Sequence, residues 1–427
     1  MQIHTVKRGD SLWELSQRFG VPLQQILAAN GLAEDDPLVI GQAVIIPTPS
    51  ESTTHRVAAG ESLWKIAQRY GVPMQEIARV NRLTNPAAIV PGQMLTIPRG
   101  PKPVIEVNAY TEKFGPEGVA LVGEIGDYLT YLSPFSYRVA MNGSLTPIDD
   151  SAIISAAFEK RVAPMMVITN FENGRFSSDI AHAVVSDENV QAALIGNILG
   201  VMREKGYMAL NVDFEYVPPA DRVLYNAFLQ KLVDSLRPQG YLVSTAVAPK
   251  LSAEQTGTLY EAHDYPAHGR IVDFVILMTY EWGWSGGPPL AVAPLNEVVK
   301  VLNYALSVMP PEKIVMGMPL YGYDWTLPYV QGGAWAPTVS PQEAVRRAAR
   351  FGATIEYDET AQSPHYTYYD DQGREHVVWY EDARSVQAKF DVVKNFGLRG
   401  VSYWVLGVPF PQNWYVLSEN FTIKKLV

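Results

Sequence analysis

From residue 103 onward, short apolar runs rich in β-branched and aromatic residues alternate with longer segments of helical periodicity. The runs that predict buried strands span residues 104–110, 128–133, 163–169, 208–215, 242–248, 274–280, 314–320 and 400–404. The segments that predict helices span residues 150–160, 186–205, 222–236, 294–308, 341–351 and 383–396. Eight buried strands separated by crossovers favour an α/β fold, a closed (β/α)8 TIM barrel, over an open doubly wound sheet. No G-x-G-x-x-G motif follows the first strand, so a nucleotide-binding fold is disfavoured.

Residues 353–380 interrupt this alternation with three short strand patterns, at residues 354–357, 366–370 and 376–380. The tripeptide Asp371-Gln372-Gly373 between the last two predicts a tight turn. We therefore expect a small α+β insertion between the seventh strand and the last helix. In a barrel, a segment inserted after a strand stands beside the active-site face.

Residues 2–47 and 54–98 are two copies of one repeat. The positions that are identical in both copies include, in the numbering of the first, Val6, Gly9, Ser11-Leu12-Trp13, Gln17-Arg18, Gly20-Val21-Pro22, Ile26, Asn30, Gly41-Gln42 and Ile46-Pro47. So many identities at one constant offset indicate an internal duplication. Polar segments at residues 48–53 and 99–103 predict linkers, so the main domain spans residues 101–427.

Each copy predicts a βααβ module. A short strand leads to a glycine turn, after which Ser11 or Ser62 can cap a helix. Gly20 can adopt the left-handed conformation that ends this helix. Pro22 then begins a second helix that ends near Asn30, and a strand rich in Ile and Val closes the module.

The repeat resembles the LysM family in its motif V-x-x-G-[DE]-S-L-W, followed by G-V-P, N, G-Q and I-P. That family binds glycans that contain N-acetylglucosamine, such as peptidoglycan and chitin. The loops that the resemblance assigns to the glycan span residues 9–12, 31–40, 60–63 and 83–91. A spacer or self-association module is the alternative. Trp13 and Trp64 fall on helical spacing, which predicts that they belong to the core.

The composition argues against several classes of function. The chain of 427 residues has a formal net charge of −10, which disfavours nucleic-acid binding because such binding needs a basic surface. It has no cysteine, so disulfides, cysteine nucleophiles and cysteine-ligated metals are ruled out. The seven histidines form neither an H-E-x-x-H motif nor a close pair, so we expect no metal and no cofactor. No apolar run reaches about 18 residues, so no membrane insertion is expected. The first residues lack the pattern of a signal peptide, which indicates synthesis in the cytoplasm.

The predicted strand at residues 208–215 carries two acids. Because strand side chains alternate between faces, Asn211, Asp213 and Glu215 share one face, opposite an apolar one. Burying carboxylates is costly unless they are used, so this polar face predicts a site, with an exposed edge strand as the alternative. Burial and the neighbouring Asp213 should raise the pKa of Glu215, which would make it a general acid near neutral pH.

The same segment resembles the D-x-x-D-x-D-x-E signature of glycoside hydrolase family 18, the chitinase-like family. The last two acids match Asp213 and Glu215, whereas Met208 and Asn211 stand at the first two aspartate positions. With Asn211 there, Asp213 is expected to keep a hydrogen bond in place of a like-charged partner. Further matches over residues 103–427 are Leu277-Met278-Thr279-Tyr280-Glu281, Gly317-Met318-Pro319-Leu320-Tyr321-Gly322-Tyr323-Asp324-Trp325 and Ser402-Tyr403-Trp404. The third strand departs from the family's S-x-G-G pattern, since it ends in Thr169-Asn170-Phe171.

The resemblance implies a retaining mechanism in which the substrate supplies the nucleophile. Glu215 would act as the acid and later as the base, and Asp213 would orient the acetamido group of the sugar. Tyr280 would donate a hydrogen bond to the acetamido carbonyl oxygen, and Trp404 would form the floor of the sugar pocket. The other residues expected to bind substrate are Asn211, Glu281, Tyr321, Asp324 and Asn170.

Taken together, the two modules and the barrel resemble the spore cortical fragment-lytic group of Bacillus-type bacteria. The resemblance implies an N-acetylglucosaminidase that hydrolyses β-1,4 bonds in peptidoglycan fragments of the spore cortex. It also implies a monomer located in the spore coat or cortex. A chitinase and a non-catalytic glycan-binding spore coat protein are the alternatives, and retention of both acids disfavours the second.

Overall fold

The computed structural model describes residues 1–48, 53–70, 72, 74–83, 85, 89–98 and 102–427. Most of both predicted linkers therefore lies outside the described residues. The strands are β1 (Gln2–Thr5), β2 (Ala43–Ile46), β3 (Thr53–Arg56), β4 (Met94–Ile97), β5 (Val104–Thr111), β6 (Tyr131–Pro134), β7 (Tyr137–Val139), β8 (Leu145–Thr146), β9 (Ala163–Thr169), β10 (Phe171–Glu172), β11 (Arg175–Phe176), β12 (Ala209–Asp213), β13 (Leu242–Val247), β14 (Phe274–Leu277), β15 (Ile314–Pro319), β16 (Gly322–Thr326), β17 (Thr338–Val339), β18 (Glu356–Asp358), β19 (Ser363–Tyr369), β20 (Glu375–Trp379), β21 (Gly400–Trp404) and β22 (Thr422–Ile423). The α-helices are α1 (Leu12–Phe19), α2 (Leu23–Asn30), α3 (Leu63–Tyr70), α4 (Met74–Val80), α5 (Gly115–Ile125), α6 (Ser151–Glu159), α7 (Ser178–Ser186), α8 (Glu188–Lys205), α9 (Arg222–Leu236), α10 (Tyr265–Ile271), α11 (Leu295–Val308), α12 (Pro341–Arg350), α13 (Ala383–Phe396) and α14 (Pro411–Asn420). None of the helices within these ranges has the length and apolarity needed to span a bilayer.

Eight strands form a closed parallel barrel, which confirms the predicted fold. The ring runs β5, β6, β9, β12, β13, β14, β15 and β21, and the pairing of β21 with β5 closes it. Every strand of the ring is buried almost throughout, as expected when helices cover the outside and side chains fill the inside.

The predicted strands at residues 208–215 and 274–280 are longer than the strands observed. β12 ends at Asp213 and β14 ends at Leu277. The residues that follow, including Glu215 and Tyr280, leave the parallel ladder at the same end of the barrel. Their backbone groups therefore need partners other than a neighbouring strand.

Helix ends follow local capping chemistry. The predicted helix at residues 186–205 begins at Glu188, because the Asp187 side chain accepts hydrogen bonds from the amides of Asn189 and Val190. Four helices were not predicted: α5, α7, α10 and α14. Two of them, α5 and α10, contain glycine and proline, which lower a helical signal in sequence.

The insertion forms a five-stranded antiparallel sheet in the order β17, β16, β20, β19, β18. The predicted turn at Asp371-Gln372-Gly373 is present: the amide of Gly373 donates to Asp370 O at 2.9 Å, and Gly373 has φ +73°. The sheet also includes β16 and β17, which precede residues 353–380 in the chain. Helix α12 packs its apolar face on this sheet.

Each repeat pairs its two strands antiparallel around two helices, as predicted. Ser11 Oγ accepts from the amide of Glu14 at 3.2 Å, and Gly20 ends the helix at φ +62°. The prediction that Trp13 and Trp64 are core residues is wrong, because these side chains are 63% and 61% exposed. A helix of two turns buries only a narrow stripe, and the residue immediately after the buried Leu12 or Leu63 lies off that stripe.

Candidate active site

A cavity of about 310 Å³ opens where the barrel strands end. It is lined by five of the residues that sequence analysis singles out: Asp213, Glu215, Tyr280, Glu281 and Trp404. They follow or end three different strands, β12, β14 and β21. The barrel closure therefore brings together residues that are far apart in the chain.

Asn170 holds the backbone of Glu215 in place of a strand ladder. Its Nδ2 atom donates to Glu215 O at 2.7 Å and to Ser177 O at 2.9 Å, and its Oδ1 atom accepts from Glu215 N at 3.0 Å. The side chain is fully buried and both of its polar atoms face main chain. Asn170 is not among the residues that line the cavity.

Two further side chains hold the residues on either side of Glu215. His263 Nε2 donates to Phe214 O at 2.9 Å, because its Nδ1 atom accepts from the amide of Ala248 at 2.8 Å. Burial lowers the pKa of His263 to about 4, so the ring is neutral at pH 7. Ser178 Oγ donates to Tyr216 O at 2.6 Å, and Tyr216 has φ +53°. The turn that presents the acid is therefore fixed at three successive residues.

Both acids have pKa values above their usual range. Burial first, and then the charge of Asp213, raise the pKa of Glu215 well above its usual range. Burial also raises the pKa of Asp213. The Oδ1 atom of Asp213 has no hydrogen-bond partner among the described residues. The site thus combines a carboxyl that keeps its proton near neutral pH with a buried Asp213 oxygen that can accept a hydrogen bond from a ligand.

Asn211 lies behind this pair and does not bond to Asp213. Its Oδ1 atom accepts from Tyr110 Oη at 2.9 Å, and its Nδ2 atom donates to Ser244 Oγ at 2.9 Å. The expected hydrogen bond between Asn211 and Asp213 is therefore wrong. Tyr110 and Ser244 lie on β5 and β13, so the amide instead links strands across the barrel interior.

Glu281 is held by two tyrosines. The hydroxyls of Tyr321 and Tyr323 both donate to Glu281 Oε1, the second at 2.9 Å. Burial raises the pKa of Glu281, and these two hydrogen bonds oppose the shift. Glu281 itself has φ +69° at the point where the chain leaves β14.

Trp404 contacts two other aromatic rings that line the cavity. Its ring centroid lies 4.8 Å from that of Phe135 and 5.7 Å from that of Tyr110, both in edge-to-face geometry. Tyr280 also lines this region, and burial followed by the charge of Asp213 raises its pKa well above the usual value. The tyrosine therefore keeps its proton and can donate it in a hydrogen bond.

Asp324 takes no part in lining the cavity. Its carboxylate accepts from Arg347, from Tyr368 Oη at 2.7 Å and from His376 Nδ1 at 2.8 Å. The side chain is 2% exposed. This network joins β16, β19, β20 and α12, so it stabilises the insertion.

Several residues that line the cavity were not predicted as site residues: Tyr110, Glu112, Phe135, Arg138, Phe171 and Phe176. Tyr110 and Phe135 could have been found, because Tyr110 ends the first predicted strand and Phe135 lies two residues beyond the second. Phe171 and Phe176 face each other across the short β10–β11 hairpin, with ring centroids 5.2 Å apart. Only the fold shows that this hairpin stands at the cavity.

We expect Asn170→Asp to lower kcat about 10- to 100-fold, with a smaller change in KM. The variant keeps the volume but removes the donors to Glu215 O and Ser177 O, so the acid loses its fixed position. Steady-state kinetics on a soluble oligosaccharide would measure both parameters.

Asn81 provides a matched control in the second repeat. Its side chain makes the same three-bond contact, with Ile77 O at 2.8 Å, Thr96 O at 2.5 Å and Thr96 N at 2.6 Å. Asn81→Asp should leave kcat unchanged. Equal losses in the two variants would show that Asn170 contributes only general stability.

The comparisons with known proteins agree with this geometry. The family description "Glycosyl hydrolases family 18" matches residues 151–408, and "LysM domain" matches residues 4–47 and 55–98. The cortical fragment-lytic enzyme of Bacillus cereus is 44% identical over 100% of this chain and 99% of its own length. That of Bacillus subtilis (strain 168) is 45% identical over the same shares. The crystal structure of the Bacillus cereus spore cortex-lytic enzyme SleL has a TM-score of 0.87 at 44% identity and covers 99% of each chain.

Proposed function

The chain belongs to glycosyl hydrolase family 18 and carries two LysM domains, and from this we propose that it is an N-acetylglucosaminidase of spore cortex peptidoglycan. Membership of the family makes it a glycoside hydrolase. More specifically, we propose that it hydrolyses those β-1,4 bonds of cortex fragments in which N-acetylglucosamine lies on the non-reducing side of the cleaved bond. The observation that carries it is the acid pair: Glu215 holds a proton beside Asp213, which offers an unpaired buried oxygen to the cavity. The relatives that match over their full length, and that are described as cortical fragment-lytic enzymes, support the substrate.

In the proposed reaction the substrate provides the nucleophile. Glu215 gives its proton to the glycosidic oxygen, and the bond from that oxygen to the anomeric carbon breaks. The acetamido carbonyl oxygen of the same sugar bonds to the anomeric carbon and forms a cyclic oxazolinium ion. Glu215, now a carboxylate, takes a proton from water as the water oxygen bonds to that carbon. The bond between the carbon and the acetamido oxygen breaks, which restores the acetamido group, and the configuration at the carbon is retained.

The neighbouring side chains have supporting roles in this proposal. Asp213 Oδ1 accepts from the acetamido N–H and stabilises the positive charge that develops there. Tyr280 donates to the acetamido oxygen and so helps to fix its direction of attack. Trp404 lies under the sugar ring, where an aromatic face suits the C–H groups of a pyranose.

The LysM domains are proposed to bind the glycan and to keep the enzyme on its polymeric substrate. We also propose that the protein acts in the spore coat or cortex, as its relatives' description as spore cortex-lytic enzymes suggests. A chitinase remains the second candidate, because a chitinase from Chromobacterium violaceum shares the barrel at 26% identity with a TM-score of 0.68.

One experiment tests this function. Soluble cortex fragments and chitin oligomers are incubated in parallel with the enzyme, and the masses of the products are measured by mass spectrometry. We expect new reducing ends on N-acetylglucosamine in the cortex fragments. New reducing ends on muramic residues, or cleavage of chitin oligomers alone, would reject the proposal.

A further inference from the structure

The two LysM domains have different surroundings, although their sequences align at one constant offset. The first domain lies against the barrel and its insertion. Among the hydrogen bonds that cross this junction are those from Gln342 Nε2 to Gly31 O at 2.8 Å, from Gln412 Nε2 to Asn30 Oδ1 and Ala43 O at 2.8 Å each, from Arg384 Nη2 to Gly41 O at 3.1 Å and from Ile355 N to Ile40 O at 2.9 Å. Most of the acceptors are main-chain carbonyls, so the barrel and insertion recognise the backbone of the segment that precedes and begins β2.

Apolar side chains close the same junction. Val39 is 5% exposed and belongs to the core of the insertion, together with Ile355. Ala43 is 3% exposed and joins the barrel core. The equivalent residues of the second domain, Val90 and Met94, are 58% and 57% exposed. The same two positions are therefore buried in a junction in one copy and face solvent in the other.

Position 41 must be glycine, because the first LysM domain and the insertion approach each other most closely there. Gly41 has φ +86°, and a Cβ atom there would overlap the carbonyl oxygen of Ile355. Gly92, its equivalent, has φ +87°, but the nearest atom to such a Cβ would be Arg56 Nη2 at 3.9 Å. Both glycines meet the same backbone requirement, and only Gly41 also has to make room for the insertion.

Position 31 differs between the copies for a related reason. A Cβ atom at Gly31 would overlap the side chains of Gln342 and Pro411. The second domain has Arg82 at this position, exposed and with φ +53°. A LysM domain can therefore fold with arginine at this position. The small residue at position 31 is thus required for docking of the first domain and not for the fold of the domain itself.

The docked insertion also supports a residue that lines the catalytic cavity. Ile355 immediately precedes β18, which belongs to the same five-stranded sheet as β16. From β16, Tyr323 donates to Glu281, and Glu281 lines the cavity. Packed and hydrogen-bonded groups thus connect the first LysM domain to the catalytic cavity without a break.

We propose that the first LysM domain is a fixed part of the catalytic unit and braces the insertion, whose Tyr323 holds Glu281 at the cavity, whereas the second LysM domain takes no part in this support. The first domain then supports hydrolysis even of short soluble substrates that need no capture. The inference rests on the proposed function only for the choice of substrate.

The matched pair Gly41→Ala and Gly92→Ala tests this in the full-length chain. Both changes impose the same backbone strain, and only the first also breaks the junction. We expect Gly41→Ala to lower kcat/KM on a short soluble cortex fragment roughly tenfold and to speed hydrogen exchange at the Ile355 amide. Gly92→Ala should change neither. Gly31→Arg, which copies the second domain's own residue, should act like Gly41→Ala even if the alanine variant misfolds.

Each outcome decides the inference. Faster exchange at Ile355 with an unchanged kcat/KM would overturn it, as would equal losses in Gly41→Ala and Gly92→Ala. If the unmodified enzyme cuts chitin oligomers and leaves cortex fragments intact, the proposed substrate fails. The same variants are then compared on chitin oligomers, so the two failures are distinguishable.

Discussion

Glu215→Gln is expected to reduce hydrolysis of cortex fragments by about 10³-fold or more while glycan binding survives. Glutamine has nearly the same shape and can keep the backbone bonds to Asn170, which involve only main-chain atoms of residue 215. It cannot give a proton to the glycosidic oxygen or take one from water, so both chemical steps fail. Hydrolysis is measured by product mass, and binding by retention on insoluble peptidoglycan.

Glu254→Gln is a suitable control for this variant. Glu254 lies exposed in the loop after β13, at the same end of the barrel, and does not line the cavity. Its change should leave both hydrolysis and binding intact. Full residual activity in Glu215→Gln would show that Glu215 is not the catalytic acid, and the proposed mechanism would be rejected.

The barrel and the acid pair could be predicted from sequence because their signals are local. The strand at Ala163–Thr169 and the helix at Ala383–Phe396 have the predicted limits, because periodicity and capping depend only on residues that are close in sequence. The acids were found because a polar face on a strand in an apolar context is itself unusual.

Other features depend on partners far away in the chain. Asn170 was expected to meet substrate, but its amide is used by Glu215, 45 residues on. Asn211 was expected to bond to Asp213, and instead joins Tyr110, which is 101 residues away. In both cases the residue type fitted a buried polar role, and only the closed barrel determines which partner is within reach. The docking of the first repeat is of the same kind, because Val39 and Val90 have the same side chain and opposite environments.

The second large effect is expected for Asp213→Asn, which should lower kcat by roughly 10³-fold. An amide of the same shape can still contact the acetamido group, but it carries no negative charge to offset the charge of the oxazolinium ion. The variant also removes the charge that, after burial, contributes most to raising the pKa of Glu215. Glu215 would then lose its proton at a lower pH, so the alkaline limb of the pH–rate profile should move to lower pH.

These two effects separate in a pH series on a soluble fragment. If Asp213 only tuned Glu215, the activity of Asp213→Asn would recover at acid pH, where Glu215 is protonated. We expect the loss to persist there, because the oxazolinium charge is still uncompensated. Asp221→Asn provides the matched control: Asp221 is also buried, but it pairs with His182 Nδ1 at 2.7 Å outside the cavity. Two outcomes would contradict this role: a loss of similar size in both variants, or a mild loss in Asp213→Asn at every pH. Either would mean that other residues hold the acetamido group and that the charge of Asp213 is not needed for its attack on the anomeric carbon.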